Sequence, residues 1–199
     1  MARPPRPERK YELLDQILDF LLDSTLADLT FRSLADGLGI SSYVLVYHFG
    51  NREQLVTEII QGIMRRYEPI ESGGPASASP EDFLVWARKS FELCLDHRGR
   101  HLQRLEFEAS VQDVVAERPR GVGVDGYGHW RGVLAGWLRG QGIVAERADS
   151  LARVYVGSVM GLLYDFVITG DRQAVLGSFD LLAESLAAQL EGTGRRVLS

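Results

Sequence analysis

Apolar side chains recur at three- and four-residue intervals through nearly the whole chain, and the seven prolines fall between these runs rather than inside them. That spacing puts one apolar stripe on each segment, the pattern of an amphipathic helix and not of an alternating strand. Proline lacks the N–H that a helix interior needs, so Pro4, Pro5, Pro7, Pro69, Pro75, Pro80 and Pro119 mark the gaps. An all-α fold follows, with no internal repeat. A chain of 199 residues, 45% apolar and 25% charged, can bury a real core in one domain or two small ones.

The first helix is expected from Glu8 to Leu26, with Leu13, Leu14, Ile17, Leu18, Leu21 and Leu22 on one face. Glu12, Asp15, Asp19 and Asp23 make an acidic stripe opposite, a solvated face that cannot lie against phosphates. Thr30 is a good N-cap for a short helix from Phe31 to about Gly37. Leu38 to Ser41 then form a tight turn in which Gly39 suits a positive φ. Ser41 or Ser42 caps a second short helix running through His48. Two short helices joined by a glycine-bearing turn make a helix-turn-helix pattern. Asn51 with Gln54 resembles a capping box opening a fourth helix to about Glu68.

Residues 71–79, rich in Ser, Gly, Pro and Ala, read as a flexible connection. Longer helices are expected at Pro80–His97, Arg100–Arg118, Tyr127–Gly140, Ala145–Thr169 and Asp171–Leu190. The glycine-bearing stretch 119–126 reads as a loop, and the tail from Gly192 as frayed.

The net charge is −5, from 22 basic and 27 acidic side chains. That excludes a strongly basic nucleic-acid binder but not a local patch, and Arg3, Arg6, Arg9 and Lys10 supply one. No apolar run reaches the ~18 residues needed to span a bilayer, and the charged N-terminus does not read as a signal peptide. The single Cys94 excludes an internal disulfide or a cysteine zinc cage, and reads as a small buried hydrophobe. Together these features read as a cytoplasmic protein without a membrane partner. Catalytic motifs such as Gly-x-Ser-x-Gly, a glycine-rich phosphate loop or His-Glu-x-x-His do not occur, so no enzyme and no cofactor are expected. His97 and His101 are four apart but lack an evident third ligand, so no metal site is expected.

The run Leu29-Thr30-Phe31-Arg32-Ser33-Leu34-Ala35-Asp36-Gly37-Leu38-Gly39-Ile40-Ser41, then Val44-Leu45-Val46-Tyr47-His48-Phe49-Gly50-Asn51-Arg52-Glu53-Gln54-Leu55, resembles the tetracycline-repressor (TetR-type) family of bacterial regulators. The match spans about Arg9 to Ile60 and rests on Tyr-His-Phe, the following Asn-Arg-Glu-x-Leu, and their distance from Thr30. The resemblance implies a homodimer whose N-terminal module binds a palindromic operator in double-stranded DNA. It also implies a larger helical domain that binds a small-molecule effector and so alters DNA affinity. On that reading residues 1–52 form the DNA-binding domain with its basic arm, and residues 53–199 the ligand-binding and dimerisation domain. At Val46 the family usually carries a tyrosine on the DNA backbone; valine cannot make that contact.

On the second short helix Leu45 and Phe49 fall on one side as core anchors. Tyr43 and Tyr47 fall on the other, flanked by Val44 and Val46. That face either packs on a neighbouring helix or meets a groove, hydroxyls to phosphate or base edge and valine against a thymine methyl. The helix lacks Arg, Lys, Asn and Gln, so specificity would lean on thymine contacts, hydroxyls and DNA shape. Arg32 could supply a guanidinium fork, or pair with Asp28 or Asp36. Thr30, Ser41, Ser42, Tyr47, His48 and Arg52 are candidates for phosphate positioning, with a structural role the alternative for His48. The arm with Arg3, Arg6 and Arg9 could follow phosphates or enter a minor groove, or be a disordered tail.

In the C-terminal part, Trp86, Phe107, Trp130 and Tyr155 are the candidate lining of a pocket for a largely apolar effector. Glu106 and Glu108, if inward, would favour a cationic or hydroxylated one. Gly157 and Gly161 permit close helix approach, and Leu176, Phe179, Leu182 and Leu186 share one helical spacing. The family uses its last two helices as a dimer interface; an intramolecular core is the alternative. Two competing readings remain: a helical ligand-binding or structural dimer with a degraded DNA module, and a helical enzyme using His97, His101, Glu106 and Glu108.

Overall fold

The computed structural model describes residues 7–65, 77–115 and 121–194, helical throughout and without a strand among these residues. Helix α1 (Pro7–Phe20) buries Leu13, Leu14, Ile17 and Leu18. It then tightens into a 3₁₀ turn, Leu21–Asp23, and ends at Ser24 in extended backbone, short of the expected Leu26. The apolar period continues, since Leu21 and Leu26 stay buried, but the carbonyls of Leu21 and Ser24 are taken by a side chain from elsewhere in the unit. Periodicity reports burial, not the hydrogen-bond ladder.

Helices α2 (Phe31–Leu38), α3 (Ser42–Phe49) and α4 (Arg52–Arg65) follow. Thr30 caps α2 reciprocally: Ser33 N–H donates to Thr30 Oγ1 at 3.0 Å and Thr30 N–H to Ser33 Oγ at 3.0 Å. Gly39, at φ 64°, ends α2 in the left-handed region that a Cβ disfavours. Asn51 and Gln54 form the expected capping box, with N–H to side-chain oxygen distances of 3.1 and 2.9 Å. The part of α4 expected beyond Arg65 lies outside the described residues.

Helices α5 (Pro80–Leu93), α6 (His97–Val114), α7 (Val122–Gly140), α8 (Ala145–Thr169) and α9 (Arg172–Gly194) complete the chain. Helix α6 starts three residues before the expected Arg100 because the Asp96 carboxylate accepts from the Gly99 N–H. Helix α7 starts inside the stretch expected as a loop. Gly123 serves close packing there, not flexibility: a Cβ would stand 2.7 Å from Ser110 Cβ.

The chain divides into two compact units, residues 1–68 with 104–123, and residues 69–103 with 124–199. The first holds α1 to α4 and the later part of α6, and is larger than the 1–52 segment singled out in the sequence. The second is built on Phe83, Leu134, Trp137, Leu138, Ile143, Ala152, Tyr155, Val156 and Leu186, with Phe83 stacked on Trp137 at 3.8 Å between ring centroids. There Arg88 on α5 pairs with Asp180 on α9 at 2.7 Å. Arg100 closes the end of α8, its Nε and Nη2 donating to the Val167 carbonyl at 2.9 and 2.7 Å.

Helix α8 corrects one expectation. Its 25 residues include an 18-residue window of mean hydropathy 1.5, long and apolar enough to cross a bilayer by length and composition. A run broken by Arg153, Ser158 and Asp165 still averages apolar. One face is buried through Ala148, Ala152, Tyr155, Val156, Leu163 and Phe166; Val154, Tyr164 and Ile168 remain open.

Candidate nucleic-acid interface

Helix α3 is short, and its orientation is set by two anchors. Leu45 is 0% exposed and Phe49 2%. Tyr43, Val46 and Tyr47 are 75%, 46% and 56% exposed, so the helix presents two phenols and an isopropyl group to solvent. Burial of these aromatics in their own unit, the competing sequence reading, does not occur. Ser41 Oγ caps α3 by accepting from the Tyr43 N–H at 3.2 Å, and Ser42 is exposed in the first turn. Val44 is half-buried.

At the other end of α3, His48 meets the Tyr47 ring edge-on at 5.1 Å. Burial, then the charges of Arg9 and Lys10, push its pKa below the ordinary histidine value. Arg9 and Lys10 on α1 thus form a cationic corner with His48. Lys10 also donates to Glu58 at 2.6 Å and lies 5.9 Å from the Phe49 ring centroid. Arg3 and Arg6 lie outside the described residues.

Arg32 is exposed on α2 and makes no ion pair with Asp28 or Asp36; Asp28 accepts instead from Thr25 Oγ1 at 2.7 Å. Thr30 Oγ1 is engaged in the α2 cap. Arg52, expected at a phosphate, turns onto its own unit. Its Nε donates to the Leu29 carbonyl at 3.1 Å and its Nη2 to the Leu26 carbonyl at 2.6 Å. Loop carbonyls outside a helix ladder need donor partners, and the guanidinium donates to two of them, that of Leu26 also accepting from the Leu29 N–H.

Sequence reasoning missed a second arginine that holds the same link. Arg104 Nη2 on α6 donates to the carbonyls of Leu21 and Ser24 at 2.9 and 2.8 Å, and its Nη1 pairs with Glu108 at 2.6 Å. Glu108 in turn accepts from the Leu26 N–H at 2.9 Å. Glu108 is therefore committed to the α1–α2 link, which corrects its reading as an effector contact. The available signal was an Arg and a Glu four apart beside the buried Leu105 and Ala109.

A search of family models returns no match for the chain. It is 31% identical over 117 residues to the HTH-type transcriptional repressor KstR2 of Mycobacterium tuberculosis, across 56% of this chain and 55% of that protein. The chain thus matches about half the length of its curated relatives, which are named as repressors and not as enzymes. A transcriptional regulator from Rhodococcus sp. superposes with a TM-score of 0.73 at 19% identity, covering 91% of this chain and 95% of that one. A TetR-family member from Streptomyces coelicolor does so at 0.68 and 19%, covering 88% and 98%. The fold is the TetR-type fold. Within that TetR-type layout α2 and α3 are the helix-turn-helix, and the outer face of α3 is exposed at Tyr43, Val46 and Tyr47.

The remaining candidates lie elsewhere in the chain. Trp86, Trp130 and Tyr155 all pack on the apolar cluster of the second unit, while Phe107 belongs to the first. The Tyr155 hydroxyl is 3.0 Å from Ser185 Oγ. On α9, Phe179 and Leu186 are core residues: Phe179 stacks on Phe91 at 4.5 Å between centroids, and Leu186 joins the cluster. Leu176 and Leu182 are half-buried. The open face of α9 carries Ala174, Gly177, Ser178, Leu181 and Ala188 instead, and on α8 Gly161 is exposed and Gly157 half-buried. Phe179 and Leu186 of that stripe are thus core residues, because the larger side chains of a two-sided helix turn to the side where its own chain can surround them. The His97 and His101 rings meet at 4.6 Å between centroids, tilted by 52°, and no group of three His, Cys, Asp or Glu side chains suited to a metal occurs among the described residues.

Proposed function

We propose that this chain is a ligand-responsive transcriptional repressor that binds a palindromic operator in double-stranded DNA as a homodimer. Residues 1–52 supply the DNA-binding segment and residues 53–199 the effector and dimer functions. The observation that carries the reading is the outward face of α3, with Tyr43, Val46 and Tyr47 open while Leu45 and Phe49 are fixed in the core. Exposed aromatics on a short helix cost solubility without return unless a partner covers them. A major groove accepts an α-helix, and phenols and valine suit phosphate oxygens, base edges and thymine methyls.

Arg32, without an ion pair among the described residues, supplies a guanidinium near this face, and Ser41, Ser42, Tyr47 and His48 hold the phosphates. Val154, Gly157, Gly161, Tyr164 and Ile168 on α8, with Leu181 on α9, form the face for the second copy. Exposed Arg153 and Asp165 flank that stripe, which favours an aqueous partner over a bilayer and accords with a cytoplasmic protein. The effector binds within the helices that carry Trp86, Trp130 and Tyr155. The repressors named among the curated relatives support the direction of regulation.

The test is selection of bound fragments from the source genome by the purified full chain, followed by gel shift. Retention of a palindromic fragment supports the reading. A dimer that retains no fragment favours a ligand-binding dimer whose DNA module has degraded, a reading that draws on Arg52 being turned inward.

A further inference from the structure

Most of the guanidinium groups that leave the surface of this protein find oxygen atoms. Arg52, Arg88, Arg100 and Arg104 each donate to carbonyls or carboxylates. Arg131 does not. It is half-buried on α7, and its Nε is fully covered with no hydrogen-bond partner. No hydrogen bond or ion pair joins it to any described residue. Its neighbours one turn away on the same face are Tyr127, whose ring lies 5.7 Å from Arg131 Cζ, and the buried Ala135. Tyr127 and Trp130, like Leu134 and Leu138, belong to the apolar cluster of the second unit.

A cation held beside apolar side chains with an unused donor is unfavourable in the unliganded protein. An aromatic face offsets part of that through cation–π attraction, but supplies no acceptor for the N–H. An oxyanion does, and the guanidinium fork matches carboxylate, sulfonate or phosphate oxygens.

From this we infer that Arg131 is a ligand-recognition residue and that the effector is an anion: an oxyanion group carried on an apolar, ring-bearing body. The body packs against Trp130 and its neighbours, and the oxyanion accepts from Arg131 while Tyr127 covers the guanidinium face. This rests on the reading of the chain as an effector-responsive regulator, and it sets the effector's charge.

Two fluorescent probes of nearly equal shape test it on the full chain: 8-anilinonaphthalene-1-sulfonate and the uncharged N-phenyl-1-naphthylamine. The wild-type chain should prefer the sulfonate by about ten- to a hundredfold, as expected for one charge-assisted contact. Arg131→Gln should lose that preference while still binding the uncharged probe, and Arg131→Lys should keep part of it. Arg131→Met should melt no lower than wild type without ligand, since it removes an unpaired donor. A wild-type chain that binds both probes equally, or a preference that survives Arg131→Gln, overturns the anion assignment and leaves an effector site standing. Binding of neither probe overturns both.

Discussion

Arg104 and Glu108, one turn apart on α6, grip opposite polarities of one short link: the guanidinium takes the carbonyls of Leu21 and Ser24, and the carboxylate takes the N–H of Leu26. The pair joins at 2.6 Å, so each orients the other. Removing either leaves backbone groups unpaired where α1 gives way to the helix-turn-helix. Arg104→Ala should therefore lower stability by about 1–3 kcal/mol. Urea unfolding reads this as a fall in midpoint at unchanged slope; an unchanged midpoint would show that water replaces the pair.

Arg52 and Arg32 should separate stability from DNA binding. Arg52 donates to two backbone carbonyls, whereas Arg32 stands exposed without an ion pair. Arg52→Ala should lower the melting temperature. Arg32→Ala should leave it within error and weaken operator binding by about 1–3 kcal/mol if it contacts a base. The reverse pattern in paired melting and gel-shift series would contradict the assignment.

The two faces of α9 make a similar contrast. Phe179→Ala empties a stacked core position and should cost about 3–5 kcal/mol of stability. Leu181→Asp changes an exposed position and should leave the monomer folded while shifting the chain from dimer to monomer in sedimentation. A dimer that survives Leu181→Asp places the interface elsewhere.

His48 has a pKa below the ordinary value of 6.5, chiefly from burial and then from Arg9 and Lys10. The folded state thus resists the proton that the unfolded state accepts. Its contribution to stability is complete above pH 6.5 and is lost as pH falls through the lowered folded value. His48→Gln should flatten the stability–pH curve below pH 6.5. DNA phosphates would favour the charged form, so operator binding should take up a proton, seen as affinity rising as pH falls toward 6. An identical pH dependence in His48→Gln would remove the residue from the interface.

What was legible in the sequence was mostly local. Thr30 with Ser33, Gly39, and Asn51 with Gln54 act within three or four residues, and Leu45 and Phe49 are fixed by helical period. The backbone partners of Arg52 and Glu108 were not legible because they lie 26 and 82 residues away in the chain, and no pattern carries a hydrogen bond that far. The burial of Phe179 and Leu186 on α9 was hidden for another reason. A helix with a core on one side and an open face on the other shows a single period to both, and the small Gly177 and Ala174 leave little mark in the sequence. The glycines of residues 119–126 looked like a loop because close packing and backbone freedom select the same residue.

Few cations flank the proposed DNA face: between Tyr11 and Arg52 there are two basic and six acidic side chains. Each module should neutralise few phosphates, and the log–log salt dependence of operator binding should be shallower than about −8. A steeper slope would mean further phosphate contacts, with the Arg3 and Arg6 arm the first place to look.

The most direct measurement is the affinity of the full chain and of a Tyr43→Ala, Tyr47→Ala double variant for a genomic fragment selected by the wild type, with footprinting on the same fragment. The account predicts two protected half-sites about one duplex turn apart. It also predicts that the double variant loses most of its affinity while remaining folded and dimeric. A double variant that binds as tightly as wild type, or a chain that selects no fragment over bulk DNA, would contradict it.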